Sequence, residues 1–176
     1  MRPKFPLVIL LGLAACAGPI ETRLLSAGEA NIDALSYSYS KPTAAASAEY
    51  GMARALIIEA LSKRNFRNAE NAPVLLQMAV SERPANLGLK RGEGENVKVI
   101  APTKKRKLFQ SCKDREYRLS LRFTQVSDGR LLYSGEAAQY HCKLGLSEAL
   151  PGMVDAVIAD IDGPRGAKVI KRRGRE

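Results

Sequence analysis

The chain has no tryptophan and one histidine, and aromatic residues make up 6% of its 176 positions. Such a sequence is poor in the usual catalytic side chains, and a lone imidazole excludes metal centres built from several histidines. Neither a C-x-x-C nor an H-x-x-x-H spacing occurs. The dinucleotide fingerprint GxGxxG is absent. Arg91-Gly92-Glu93-Gly94-Glu95 is glycine-rich but lacks the GK[ST] ending that a phosphate loop needs. The N-terminal apolar stretch does not reach the length of a membrane span either. Phe5 to Ala17 falls short of the ~20 residues required, and Pro3, Pro6 and Gly18-Pro19 bound it.

That stretch has another layout. Arg2 and Lys4 form a positive start, Leu7 to Leu13 are apolar, and Leu13-Ala14-Ala15-Cys16 ends it with small residues and a cysteine. This is the pattern of a secretory signal. The LAAC sequence resembles the lipobox of bacterial lipoproteins. The resemblance implies that residues 1–15 are removed, that Cys16 carries acyl chains, and that residues 16–19 form a short tether. A secretory signal without lipid is the rival reading. Ala17 rather than Asp follows the cysteine. By resemblance to sorted lipoproteins of Gram-negative bacteria, this implies the periplasmic face of the outer membrane. Three or four extended residues reach only ~13 Å, so a domain that starts at Ile20 sits close to the membrane.

The remaining length suits one domain with its own core. Formal net charge is +10, from 28 Lys and Arg against 18 Asp and Glu. A basic balance favours anionic surfaces. For an exported protein these are anionic lipid or lipopolysaccharide, not nucleic acid. With Cys16 assigned to lipid, Cys112 and Cys142 are left as a pair in a compartment that permits disulfides. Free thiols, or a zinc site using Cys112, His141 and Cys142, are the rival assignments. No cofactor is implied.

Thr22 and Leu24, which favour extended backbone, mark a short strand at Ile20–Ser26, and period-two alternation marks another at Leu35–Tyr39. Ser47 to Asn65 reads as a helix, with Ser47 as N-cap and Asn65 as its left-handed terminator. Val74 to Val80 reads as a central strand. Residues 83–111 form a basic excursion holding Lys104-Lys105-Arg106-Lys107, and Val97–Ile100 adds an edge strand there. These four cations are expected on an exposed loop or edge, free to meet an anionic surface. Tyr117, Leu119, Leu121 and Phe123 alternate with polar residues, then Leu131, Tyr133, Gly135 and Ala137 do the same across Ser127-Asp128-Gly129. This is a hairpin with Phe123 facing Tyr133, a three-residue loop and a bulge at Gly129. In that register Cys142 lies opposite Asp114. Ser147 to Ile161 forms a second helix, with Pro151 in its first turn. The tail, residues 165–176, holds six basic residues and is expected to be disordered.

The resulting fold class is α+β: an antiparallel or mixed sheet with two helices packed on one face. Several segments resemble the bacterial lipoprotein family known as domain of unknown function 4136. The segments are the LAAC lipobox, the step Leu61-Ser62-Lys63-Arg64-Asn65-Phe66 before Val74–Val80, the final hairpin from Leu119 to Gly135, and the closing helix. The likeness spans roughly residues 20–164. Tyr133 stands where that family usually has tryptophan, and the excursion at 83–111 is extra. The resemblance implies an α+β sandwich with no known activity and supplies no site residues.

Two functional classes follow. One is a non-enzymatic, membrane-anchored periplasmic lipoprotein of envelope maintenance or complex assembly, with an envelope protein as partner. The other is an envelope hydrolase. A nucleophile needs a base within hydrogen-bond reach, and His141 has no evident Ser or Asp partner in the sequence. It is expected as an exposed residue at a strand end. Asp155 and Asp160 diverge by ~140° around a helix, so they form no acid–base pair and are expected in solvent.

Overall fold

In the computed structural model, residues 19–29, 36–40, 47–91, 98–101, 103–104, 112–163 and 165–173 are described. Cys16, the leader, Lys105, Arg106 and Lys107 lie outside them. The elements run β1 (Ile20–Gly28), β2 (Ser36–Tyr39), α1 (Ala48–Ser62), β3 (Arg67–Asn68), β4 (Val74–Pro84), β5 (Leu89–Arg91), β6 (Lys98–Ala101), β7 (Arg115–Gln125), β8 (Leu131–His141), α2 (Leu146–Ala159) and β9 (Gly166–Arg172). A 3-10 turn, Asp160–Asp162, follows α2. The fold is α+β, as the pattern predicts.

The main sheet has the order β3-β2-β4-β7-β8-β1-β9. β2 is parallel to both its neighbours, and the other pairings are antiparallel. The sheet is therefore mixed. β5 and β6 pair only with each other, so the expected edge strand belongs to a separate ribbon.

One face of the sheet carries the core. Leu24, Tyr37, Val74, Leu76, Leu119, Leu121, Phe123 and Tyr133 point to it and are all buried. Ala53, Ile57 and Leu61 of α1 meet them at helical spacing, with Met153, Val154, Val157 and Ile158 of α2. Val74 to Val80 lies inside the sheet, but it alternates buried and exposed because helices cover only one side. The Ser47 hydroxyl accepts from the Tyr50 amide at 3.2 Å, and Asn65 has φ 62°, which are the two signals expected at the ends of this helix. Aromatic edges meet near the middle: Phe123 lies 6.2 Å from both Tyr37 and Tyr133 and 6.0 Å from Phe66. Gly135 lets the Tyr133 ring lie down beside it, because a Cβ there would collide with the Tyr133 hydroxyl oxygen and ring edge. That hydroxyl then donates to the Val157 carbonyl at 3.0 Å and ties β8 to α2.

Several expectations need correction. Phe123 does face Tyr133, but Thr124 pairs with Leu131, so the bulge falls at Leu132 and the loop is Val126–Gly129. Gly129, at φ 71°, closes it. Pro151 is the sixth residue of α2, not a first-turn residue, so the Ser147 carbonyl loses its helical amide donor. Asp160 is buried. It lies 3.4 Å from the Tyr133 hydroxyl and pairs with Lys168, whereas Asp155 is exposed as expected. Most of the tail is not disordered. Residues 166–172 form β9, paired with β1 from Ile20↔Arg172 to Ser26↔Gly166. Its basic side chains alternate, so Lys168 and Arg172 turn inward and lay their stems along the helix side while Lys171 points out. Charge density hid that alternation. Among the described residues no helix is long and apolar enough to cross a membrane.

Burial raises the phenol pKa values of Tyr37, Tyr39, Tyr117 and Tyr133 above the ordinary 10.0. In the unfolded chain these phenols ionise near their ordinary value. Their contribution to stability is therefore complete below about pH 10 and is lost as pH rises beyond it. An alkaline titration should show tyrosinate absorbance from these rings rising together with loss of circular dichroism. Full ionisation of all six tyrosines in a chain that is still folded would contradict the packing described.

Candidate functional site on the open face and the tether end

Alternation sends the other half of each strand to the uncovered face. There β4, β7, β8 and β1 place Arg83, Glu116, Tyr140 and Arg23 side by side. Glu116 stands directly across from Arg83 on one side and Tyr140 on the other. Glu116 is fully buried although no helix covers it, because guanidinium groups enclose it. Arg23 Nη2 lies 2.8 Å from its Oε1 and Arg118 Nη2 lies 3.0 Å from the same oxygen. Arg83 pairs with Oε2. The other end of Arg118 reaches Glu136 at 2.8 Å. The Arg23 guanidinium also lies over the Tyr140 ring, 4.3 Å from its centroid. Burial, with Arg118 and Arg23 close by, pulls the Arg83 guanidinium below its ordinary pKa, against an opposing effect of Tyr140.

Of the expected basic patch only Lys104 is among the described residues, and it is not free. Lys104 is half-buried, with Nζ 2.8 Å from Asp114 and 4.8 Å from the Tyr140 centroid. Its amide donates to the Ala85 carbonyl at 2.7 Å. It is a strut between the excursion and β7 rather than a free cation, because Asp114 and Tyr140 offer it partners at the sheet end. Lys105, Arg106 and Lys107 lie outside the described residues, as does Cys16.

Cys112 and Cys142 are joined, with Cα atoms 5.5 Å apart. The register sets this distance: Arg115 pairs with His141, so Asp114 and Cys142 come next at the open end of the hairpin. With the sulfurs bonded to each other, Cys112, His141 and Cys142 do not form a zinc site. His141 is buried, not exposed as its place at a strand end implied. Its Nε2 lies 2.7 Å from Gln139 Oε1, Gln139 donates to the Thr22 hydroxyl at 2.7 Å, and Tyr117 stacks on the ring at 5.7 Å. The Tyr117 hydroxyl donates to the Leu144 carbonyl at 2.9 Å. The Tyr117 ring from the neighbouring strand and the segment leading into α2 close this end of the hairpin, a cross-strand contact that local pattern does not show.

Strand directions bring one group of termini together. The start of β1, the start of β7, and the ends of β4, β8 and β9 share one end of the sheet. Exposed Lys113, Arg115, Lys143, Lys171 and Arg173 gather there. Arg115 pairs with Glu82 at 2.9 Å and Lys171 with Glu21 at 3.0 Å. Lys113, Lys143 and Arg173 have no ion pair among the described residues. A cavity of about 440 Å³ opens between Pro84–Leu87, Lys104, Lys113 and Asp114 at the same end.

A mixed seven-stranded sheet with two helices on one face defines the class as an α+β domain. No family model and no curated protein sequence matches the chain. Solved structures share its fold. A PDZ domain protein from Parabacteroides distasonis superposes with TM-score 0.59 at 12% identity, over 87% of this chain. This chain spans only 39% of that protein. A PelC dodecamer from Paraburkholderia phytofirmans, in a form carrying one leucine-to-methionine substitution, gives TM-score 0.51 at 15% identity, covering 80% of this chain and 97% of that one. A minor lipoprotein from Acinetobacter baumannii gives TM-score 0.40 at 10% identity, over 72% of this chain and 91% of that one.

Two stability measurements check the site. Reduction, or Cys112→Ser with Cys142→Ser, opens a closure of sequence separation 30 and should lower the unfolding free energy by about 3–4 kcal/mol in urea. An unchanged midpoint would remove the disulfide from the stabilising set. Glu116→Ala leaves three arginines facing one another and should cost about 3–5 kcal/mol. Glu136→Ala, at a partly exposed pair, should cost about 1 kcal/mol or less. Equal effects of the two would contradict the enclosure of Glu116.

Proposed function

We propose that this protein is a non-enzymatic lipoprotein held to the bacterial envelope through Cys16, its sheet end resting on an anionic membrane surface. The observation that carries this reading is the start of β1 at Ile20, four residues after Cys16. So short a tether reaches only ~13 Å, and it leaves from the end of the sheet where Lys113, Lys143 and Arg173 are exposed. Each such cation near an anionic headgroup layer contributes about 1 kcal/mol, screened by salt. The likeness of LAAC to a lipobox supports lipidation of Cys16, and Ala17 rather than Asp after it supports the outer membrane as the location.

The role is envelope maintenance or assembly of a larger complex, with an envelope protein as partner. The similarity in fold to a protein crystallised as a dodecamer supports the assembly reading. An enzyme is disfavoured by His141, the only imidazole in the chain, which is enclosed by Gln139 and Tyr117 and turned from solvent.

Membrane fractionation tests the anchor. Cys16→Ala should be exported but released from the outer-membrane fraction into the soluble periplasm. A processed variant that still sediments with the outer membrane would sink the proposal. Replacing Lys113, Lys143 and Arg173 by Ser in that released form should weaken its residual binding to anionic vesicles, most strongly at low salt, and leave neutral vesicles unaffected.

A further inference from the structure

The end of the sheet where β1 begins also presents an apolar group that its cations do not account for. β4 stops at Pro84, across from Arg115. The chain then turns tightly. The Leu87 amide donates to the Pro84 carbonyl at 3.2 Å, and the Ala85 amide donates to the Asp114 carbonyl at 3.0 Å. Arg83 spans the turn and donates to the Leu87 carbonyl, with the Pro84 carbonyl 3.4 Å from the same nitrogen. The backbone of residues 84–87 is therefore held in place. Ala85 is buried beneath it, whereas Leu87 is 55% exposed.

A lone exposed leucine is ordinary on a protein surface. Its surroundings set Leu87 apart. It lines the cavity of about 440 Å³ together with Lys104 and Lys113. Lys113, Lys143 and Arg173, at this same end, have no ion pair among the described residues. The acids close by are occupied: Asp114 by Lys104, Glu82 by Arg115, Glu21 by Lys171, and Glu148 by the Gly145 amide at 2.8 Å. Other exposed aliphatic side chains lie elsewhere. Leu25 and Val169 are mid-strand in β1 and β9, and Val126 follows β7 at the opposite end of the sheet. An aliphatic group beside unmatched cations suits a lipid interface, where the first enters the acyl boundary and the second stay among anionic head groups. β1 opens at this end with Ile20, four residues after Cys16.

We infer that the turn at residues 84–87 is a membrane-inserting wedge: Leu87 enters the acyl boundary of an anionic bilayer, and Lys113 lies among the head groups beside it. The inference rests on the membrane reading above and adds to it a contact that salt does not screen. Cations alone hold a surface near the head groups without fixing its depth. A leucine on a rigid turn sets both depth and orientation, because only one tilt of the sheet end puts it into the lipid.

The chain has no tryptophan, so a single introduced one reports on depth. Leu87→Trp and Val126→Trp, each in the full-length protein, are bound to vesicles of phosphatidylglycerol and phosphatidylcholine that contain lipid brominated high on the acyl chain. The tryptophan at position 87 should shift its emission to shorter wavelength and be quenched. The one at position 126, equally exposed in water but at the far end of the sheet, should show neither change. Partition is then read by sedimentation of the full-length Cys16→Ala form, so that no acyl chain masks the turn. Leu87→Ser should weaken binding to anionic vesicles about tenfold, by the same factor at low and high salt. Lys113→Ser should weaken it about fivefold at low salt and far less at high salt. Melting curves confirm that each variant is folded. Equal quenching at the two positions, or Leu87→Ser binding as well as its parent, in protein that does bind the vesicles overturns the wedge and leaves the membrane reading standing. Protein that binds anionic vesicles in neither form overturns both.

Discussion

Phe123 stands across from Tyr133 in the β7–β8 hairpin, and because strand side chains alternate with a period of two, this pairing assigns both strands' residues to faces. Tyr117, Leu119 and Leu121 follow Phe123 to the helix side, and Gly135 and Ala137 follow Tyr133. Glu116, Arg118 and Tyr140 go to the other side. The neighbours inherit the choice: β4 reads its register from β7, and β1 from β8. A slip of one residue would expose Phe123 and bury Arg122. No rearrangement of the helices could repair that, since burying an unpaired guanidinium costs far more than exposing one ring.

Covering only one face leaves the sheet with a second surface that must satisfy itself. Glu116 shows how. A carboxylate can be withdrawn from water only if its charge and lone pairs are met, and here arginines from three different strands meet them. Arginine suits this position because its forked donors serve two acceptors at once, as Arg118 does with Glu116 and Glu136. The network binds β4, β7 and β1 across the open face, just as Tyr133 binds β8 to α2 on the covered one.

The antiparallel course of the strands gives the two ends of the sheet different characters. The end where β1 begins collects the disulfide, the His141–Gln139–Thr22 chain, the start of α2 and a set of exposed lysines and arginines. Cys112 and Cys142 tie the segment that leads into β7 to the end of β8, beside the α2 N-terminus.

Local pattern determined a good part of this protein. Alternation in residues 116–123 and 131–137 marked the hairpin, Ser47 and Asn65 marked both limits of α1, and the hairpin register put Cys112 near Cys142. These features are set by neighbours along the chain, through steric preference, capping and the two-residue period. The α+β class followed from the order of elements. Other features were decided by partners remote in sequence. The tail became β9 because β1 offered it an edge, Asp160 was buried against Tyr133 of β8 and Lys168 of β9, and His141 against Tyr117 of β7 and Gln139. Lys104 lost its freedom to Asp114 and Tyr140, and the cluster on the open face arose from Arg23, Arg83 and Arg118 converging on Glu116 from three strands. Strand pairing and desolvation act between segments that the sequence separates, and a one-dimensional pattern carries no record of which segments they bring together.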